Sequence, residues 1–162
     1  IILSGSYVFR EVENIERQKG FITADVEYLN YKWMSFAPPA TENNVNTKED
    51  YNPYNEAIDA TYKGAFNVRV GGELKFKIVM ARLGFAYYGN PYQDKEFLKA
   101  SRMNLSGGLG YRHKGMFIDL TYVHRINKDV NFPYRVNAPQ ANTFANLKEN
   151  GGNVMLTLGF KI

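Results

Sequence analysis

Three absences limit what this chain of 162 residues can be. It has no cysteine, which excludes disulfide bridges, zinc-thiolate sites and a cysteine nucleophile. No stretch approaches the ~18 consecutive apolar residues of a transmembrane helix. Its 20 Lys and Arg residues are scattered among 16 acidic residues, so they form no basic stripe of the kind that binds nucleic acid. We therefore predict no nucleic-acid partner.

Residue types that carry enzyme chemistry are present, but not in recognisable patterns. His113 and His124 have no second histidine or carboxylate at metal-ligand spacing. The NKDVN run from Asn127 to Asn131 lacks the glycine and terminal glutamate of a calcium loop, which predicts a solvated loop. Ser106, Asp119 and His124 belong to no nucleophile motif. We predict no catalytic site, metal or cofactor, and hence no enzyme.

The chain does have an alternation of apolar and non-apolar residues with a period of two, which is typical of β-strands with two different faces. The segment GNVMLTLGFKI shows it, with Val154, Leu156 and Leu158 on one side. In the second strand the alternation slips near Leu29 and Asn30, which predicts a β-bulge. The seven predicted strands run from Ile2 to Glu11, Gly20 to Phe36, Gly64 to Lys75, Ile78 to Tyr88, Met103 to Arg112, Met116 to Ile126 and Gly152 to Ile162.

Short and long links alternate between these strands. The short links are Val12 to Lys19, Phe76 to Lys77 and His113 to Gly115, and the long ones are Ala37 to Lys63, Gly89 to Arg102 and Asn127 to Gly151. In an antiparallel meander the long links gather at one end, as the loops of outer-membrane barrels do. In the first long link, Asn52 is predicted to cap a helix with Pro53 at its first position, and Gln93 to Ala100 is predicted to form a helical turn or two.

The two faces of the strands differ in composition. One carries aliphatic and aromatic residues, and the other carries glycine, serine and charges of both signs, where a soluble exterior is usually dense in Lys and Glu. Charges inside a barrel need partners. The candidate charges of such a lumen are Asp25, Glu27, Arg69, Glu73, Arg82, Arg112 and Asp119.

Aromatic residues lie near both ends of the apolar face, as they do at the two lipid–water interfaces of membrane barrels. Those toward the long links are Tyr28, Phe66, Tyr87 and Tyr122, and those toward the short links are Tyr111 and Phe160. The pattern favours an all-β, antiparallel up-and-down meander of about seven strands that forms part of a transmembrane barrel. We expect residues 1–162 to be a single domain, the C-terminal portion of that barrel.

The sequence resembles the FadL-like outer-membrane transport proteins (the OMPP1/FadL/TodX group) in the form found in Bacteroidetes-type, Gram-negative bacteria. The likeness covers nearly the whole chain. It rests on GFITADVEYLNYKWMSF, YKGAFNVRVGGELKF, ARLGFAYYGNPY, LSGGLGYRHKGMFIDLTYVH and NVMLTLGFKI, in this order and spacing. The resemblance implies a bacterial outer-membrane location and a fourteen-stranded barrel that imports hydrophobic molecules such as long-chain fatty acids. It also implies recognition of the final strand by the barrel-assembly machinery.

The number of strands bears on what completes the barrel. Outer-membrane barrels of this type have an even number of strands, and seven is odd. We therefore expect this chain to be the C-terminal half of a longer protein, with the remaining N-terminal half and outer-membrane lipid as its partners.

The expected function is a channel or transporter that acts on a hydrophobic small-molecule ligand by binding and diffusion. Aromatic residues in the long links or at their margins are candidates for a ligand mouth, because ligand pockets are mostly apolar; they are Phe36, Tyr51, Tyr54, Tyr92, Phe97 and Phe132. Two alternatives stay open. One is a soluble β-barrel or sandwich that binds a small ligand, and the other is a structural or adhesive outer-membrane protein without transport.

Overall fold

The strands form one continuous sheet in a computed structural model that describes residues 1–9, 19–39, 48–93, 100–131, 133 and 143–160. Its strands are β1 (Ile2–Phe9), β2 (Gly20–Asn30), β3 (Gly64–Phe76), β4 (Val79–Tyr88), β5 (Ser101–His113), β6 (Met116–Asn131) and β7 (Ala145–Phe160). Each strand pairs antiparallel with the next along the chain. The predicted all-β antiparallel meander of seven strands is confirmed.

The links between strands alternate between longer and shorter ones, as predicted. Segments 31–63, 89–100 and 132–144 follow the even-numbered strands, and the shorter segments 10–19, 77–78 and 114–115 follow the odd-numbered ones. Because neighbouring strands are antiparallel, the longer segments leave one edge of the sheet, called here the loop end. The shorter ones leave the opposite edge, called here the turn end. At the turn end, Lys77 and Lys114 adopt positive φ angles of 55° and 45°.

The second strand differs from its prediction. β2 ends at Asn30 rather than Phe36, and its pairing with β3 runs without interruption from Gly20↔Leu74 to Asn30↔Gly64, so the predicted bulge is wrong. The change in alternation marks the end of the strand instead. The Asn30 side chain accepts a hydrogen bond from the Lys32 amide and caps a 3-10 helix, Tyr31–Trp33.

The last two strands are longer than predicted. β6 continues to Asn131 and β7 begins at Ala145, because their pairing extends from Ile126↔Asn150 to Asn131↔Ala145. The polar run from Asn127 to Asn131 is therefore part of a strand, and its prediction as a solvated loop is wrong. Cross-strand hydrogen bonding outweighed the low β-propensity of Asn, Asp and Lys here.

A helix lies in the longest link, but it begins earlier than predicted. α1 spans Lys48–Thr61, so Pro53 is an interior residue and not the first one. The first turn carries Glu49 and Asp50, whose negative charges are favourable at the positive end of the helix dipole. No helix in the part of the chain that is described is long and apolar enough to cross a membrane.

Some glycines of the sheet leave space for aromatic side chains of the neighbouring strand. At Gly159 a Cβ atom would overlap the ring of Phe117, its cross-strand partner on β6. At Gly152 a Cβ atom would overlap the side chain of Tyr122, which lies diagonally across the pairing on β6, opposite Val154. By contrast, nothing lies within 4 Å of the position that a Cβ would take at Gly5. The small residue thus makes room for the ring at the first two positions but not at the third.

We predict that Gly159→Ala lowers the free energy of unfolding by about 1–3 kcal/mol, because the added methyl group forces the Phe117 ring out of its place. The matched change Gly5→Ala should alter it by less than ~0.5 kcal/mol. Urea unfolding of the wild type and the two variants under the same conditions measures both changes. Equal effects at the two positions would contradict this reading of the glycine–ring contacts.

Candidate functional site

The two faces of the sheet follow from the register. Directly paired residues share a face, so Glu73, Arg82 and Gly108 lie on one side and Gly72, Leu83 and Gly107 on the other. We call the first the polar face. It holds Asp25, Glu27, Asn67, Arg69, Glu73, Lys75, Arg82, Arg102, Asn104, Arg112, Asp119, Arg125, Asn127, Asp129 and Glu149. The other is the apolar face, with Leu3, Ile22, Val26, Phe66, Val70, Leu83, Phe85, Leu105, Leu109, Leu120, Val154, Leu156 and Leu158.

Exposure runs opposite to that of a soluble protein. Leu83 is 76% exposed and Leu109 61%, whereas Glu73 is 9% exposed and Asn67 5%. The buried apolar residues of the described ranges are Ala65 and Met80, and both lie on the polar face. The sheltered side of this sheet is therefore its polar side.

The strongest contacts on the polar face centre on Arg82. Its Nε lies 2.6 Å from Oε2 of Glu73, the residue directly opposite on β3. Its Nη1 lies 2.8 Å from Oδ1 of Asp119, which is two strands away on β6. Lys75 adds a longer contact to Glu73, with 3.8 Å between Nζ and Oε1. The guanidinium thus joins two carboxylates across three strand pairings.

Glycines in β5 allow Arg82 to reach Asp119. Gly108 pairs with Arg82, and Gly110 pairs with Asp119. A Cβ at Gly110 would lie 2.5 Å from Oδ1 of Asp119 and 3.1 Å from Cε of Met80. A side chain at this position would occupy the space in which the ion pair forms. The GGLG run of β5 therefore keeps the path between the two charges open.

A second network lies nearer the loop end. Arg69 Nη2 is 3.4 Å from Oε2 of Glu27, and Arg69 Nε is 3.9 Å from Oδ2 of Asp25. Nδ2 of Asn67 donates to the same Glu27 oxygen at 3.1 Å, and Oδ1 of Asn67 accepts from the Gly89 amide. Six of the seven predicted lumen charges thus form two networks on one face.

Arg112 differs from the other six. It lies on the polar face at the turn end, where it is exposed. Its guanidinium carbon sits 5.7 Å from the centre of the Phe117 ring, a cation–π contact. No carboxylate of the described residues pairs with it.

Sequence reasoning missed several polar residues at the loop end of this face. Asn127 Nδ2 donates to Oε2 of Glu149 at 3.0 Å, while the Oδ1 atoms of Asn127 and Asn104 are buried without a hydrogen-bond partner among the residues described. These residues fall in stretches that were predicted as loop or strand end. The signal that identifies them is the register, which only the pairing reveals.

The predicted mouth aromatics do not converge. Phe36 and Tyr54 form an edge-to-face pair with ring centres 6.1 Å apart, and the Asn55 side chain bonds both the amide and the carbonyl of Phe36. Tyr92 stacks instead on Tyr62, which was not predicted, at 5.4 Å. Tyr51 is half-buried in α1. Phe97 and Phe132 lie outside the described residues.

The Tyr62–Tyr92 stack joins two of the longer links. The Lys63 amide donates to the Pro91 carbonyl at 2.7 Å, and the Gln93 amide donates to the Thr61 carbonyl at 2.8 Å. Burial raises the pKa of the Tyr92 hydroxyl, and the proximity of Tyr62 and Asp129 raises it further. Both effects disfavour the charged phenolate in this contact between the two links.

A groove of about 600 Å³ opens at the loop end, within the size range of small-molecule sites. Its walls include Tyr31, Tyr88, Pro91, Arg102 and Glu149. It mixes aromatic with charged side chains, which suits an amphipathic ligand better than a wholly apolar one. None of the predicted mouth aromatics in the described ranges lines it.

The residues considered for catalysis lie apart. Ser106 and Asp119 are on the polar face and His124 is on the apolar face, where Nδ1 is 3.1 Å from the Tyr122 hydroxyl oxygen. These three side chains therefore form no triad. The described part of the chain contains no group of three or more His, Asp or Glu residues placed to hold a metal ion.

No protein-family model, curated protein or solved structure matches this chain. Its resemblance to the FadL-like proteins stays a prediction.

We predict that Arg82→Ala lowers the free energy of unfolding by about 2–3 kcal/mol. Asp119 then loses its ion-pair partner and Glu73 keeps only the longer contact with Lys75, although the third of Arg82 that is exposed keeps the cost below the ~3–5 kcal/mol of a fully buried pair. Urea unfolding measures the change.

The matched control is Arg112→Ala, which removes the same side chain from the same face without breaking an ion pair and should cost less than ~1 kcal/mol. Adding Glu73→Gln and Asp119→Asn to the Arg82→Ala variant should recover part of the loss, because the stranded charges disappear. A loss at Arg112 equal to that at Arg82 would contradict the network.

Proposed function

We propose that this chain is part of an outer-membrane β-barrel that transports hydrophobic small molecules, such as long-chain fatty acids, by binding and diffusion. In this proposal the apolar face contacts lipid and the polar face lines the lumen. The observation that carries it is the inverted exposure of the two faces. Leaving Leu83, Leu109 and Leu120 open to water would be costly, while acyl chains make the same exposure favourable.

The height of the apolar face supports the proposal. Phe66 and Phe76 lie on this face of β3, ten residues apart. At ~3.4 Å per residue they are ~34 Å apart along the strand. A strand tilted by 35–45°, as in outer-membrane barrels, reduces this to ~24–28 Å, close to the ~25 Å of their apolar band. Aromatics occupy both margins, with Tyr28 4.9 Å from Phe66 at the loop end and Phe160 at the turn end.

The direction of the outer strands supports a partner that completes the barrel. β1 and β7 both run from the loop end to the turn end. Joined directly, they would pair parallel, whereas outer-membrane barrels are antiparallel throughout. An odd number of further strands resolves the mismatch, and the resemblance supplies seven, from an N-terminal half folded by the barrel-assembly machinery.

The composition of the polar face suits transport of a ligand without any chemical reaction. The charges of Arg82, Lys75, Glu73 and Asp119 cancel, and the Arg69 network keeps one net negative charge, so ion pairing leaves the lumen polar with little net charge to trap a passing ligand. The links at the loop end carry the aromatic rings Phe36 and Tyr54, which are 57% and 62% exposed and offer apolar contact to an arriving molecule. Binding there followed by diffusion along the lumen is the proposed mechanism.

We predict that cells lacking the full-length protein take up less labelled long-chain fatty acid, and that Phe36→Ala with Tyr54→Ala lowers the restored uptake about 2–10-fold. The reason is the loss of two aromatic contacts worth ~0.5–1.5 kcal/mol between them. Uptake is measured per molecule of protein in the outer membrane.

The matched control is Tyr7→Ala with Phe9→Ala. It removes another edge-to-face pair, with centres 5.6 Å apart, from the apolar face of β1 and should leave uptake per inserted molecule unchanged. Unchanged uptake in cells that lack the protein would remove transport and favour a structural or adhesive role. A protein that is monodisperse in buffer without detergent would favour the soluble ligand-binding alternative.

A further inference from the structure

Two lysines face each other on the hairpin formed by β6 and β7. Lys128 and Lys148 are directly paired across the strands, on the same face as the apolar residues and at its loop-end margin. Both are exposed. Ser101 of β5 continues the same row. Like charges directly opposite each other destabilise a strand pair, so this arrangement calls for an explanation.

The neighbouring carboxylates do not neutralise the two lysines. Strand alternation places Asp129 and Glu149 on the polar face, where Glu149 accepts from Asn127 and Asp129 from the amide of Val130. Within the residues the structure describes, neither lysine forms an ion pair. Both lysines line the loop-end groove together with Asp129 and Glu149, but no carboxylate of the described residues forms an ion pair with either, so the pair is free to bind an external anion.

Along this face of the hairpin, the residues become more polar from Tyr122 toward the two lysines. Moving up this face of the hairpin, Tyr122 pairs with Val154, His124 with Gly152, Ile126 with Asn150, and Lys128 with Lys148. Lys128 lies six residues above Tyr122, which is ~20 Å along the strand and ~15 Å in height at a barrel tilt. Long lysine stems reach back toward a membrane surface, which shortens the distance between the ammonium groups and the lipid head groups.

We infer that Lys128 and Lys148 form a binding site for the phosphate group of a membrane lipid, on the outer wall at the loop end. This inference rests on the proposed function, because it requires lipid against the apolar face. Two ammonium groups offer six N–H donors to the oxygens of one phosphate. The anion also removes the like-charge repulsion across the hairpin, so binding and hairpin pairing reinforce each other.

The test uses the full-length protein in phosphatidylcholine vesicles, with spin-labelled phosphatidic acid as the probe lipid and spin-labelled phosphatidylcholine as the reference. We expect the wild type to prefer phosphatidic acid. Lys128→Gln with Lys148→Gln should weaken that preference roughly 30-fold, since each lysine near a membrane surface contributes about a factor of five. Lys128→Arg with Lys148→Arg should retain it.

Two controls separate this site from net charge and from misfolding. Lys77→Gln with Lys114→Gln removes two charges from the turn end, where the lysines lie in separate turns and do not share one phosphate, so it should change the preference at most about fivefold. Lys128→Glu places opposite charges across the pair, which favours hairpin formation while removing the site, so it should lose the preference and keep the wild-type unfolding midpoint. Millimolar inorganic phosphate should not displace the labelled lipid.

The outcomes separate the two proposals. A wild type that inserts but binds both lipids equally, or a Lys128/Lys148 double variant that keeps the preference, overturns the lipid-phosphate site and leaves the proposed function standing. If inorganic phosphate displaces the labelled lipid, the site binds free phosphate and the proposal of a lipid ligand is wrong. A protein that does not enter vesicles overturns both proposals together.

Discussion

Unbroken register is the constraint on which the rest of this structure depends. Every pairing from β1 to β7 proceeds without a bulge in its strand ladder, and each residue therefore keeps its face across all seven strands. A slip of one residue in any strand would exchange the two faces of that strand. Charges such as Arg82 would then lie among the aliphatic residues of the apolar face, and leucines would lie beside Glu73. The ion pairs on one side and the aliphatic residues on the other are both consequences of this single regularity.

The charges on the polar face in turn give a reason for that register. Arg82 meets Glu73 only when β3 and β4 are correctly paired, and it meets Asp119 only when β5 and β6 are also in place. The glycines of β5, between Arg82 and Asp119, are needed for the same contact. A side chain at Gly110 would occupy the space in which Asp119 binds the guanidinium. A sheltered network of this kind penalises slipped pairings, in which its charges would lack partners.

Much of this arrangement was readable in the sequence, because period-two alternation reports both the strand and its face. The strands, their order and the shared face of the seven predicted charges followed from it. Strand ends did not: β2 stops at Asn30 because a local side-chain cap starts a 3-10 helix, and β6 continues through Asn127–Asn131 because its partner strand continues too. The role of Arg112 was also missed, since its contact with Phe117 depends on the turn-end pairing. Strand pairing depends on residues far apart in the sequence, so the pattern within a single strand does not reveal it.

The orientation of the two faces is the central claim, and the absence of cysteine makes it directly measurable. Leu120→Cys and Thr121→Cys are adjacent on β6 but lie on opposite faces, as do Leu105→Cys and Ser106→Cys on β5. With the proposed full-length barrel in a lipid bilayer, we expect a thiol reagent confined to the lipid phase to label positions 120 and 105, and a small water-soluble reagent to label 121 and 106. Lipid-phase labelling at 121 and 106 with protection at 120 and 105 would contradict this orientation.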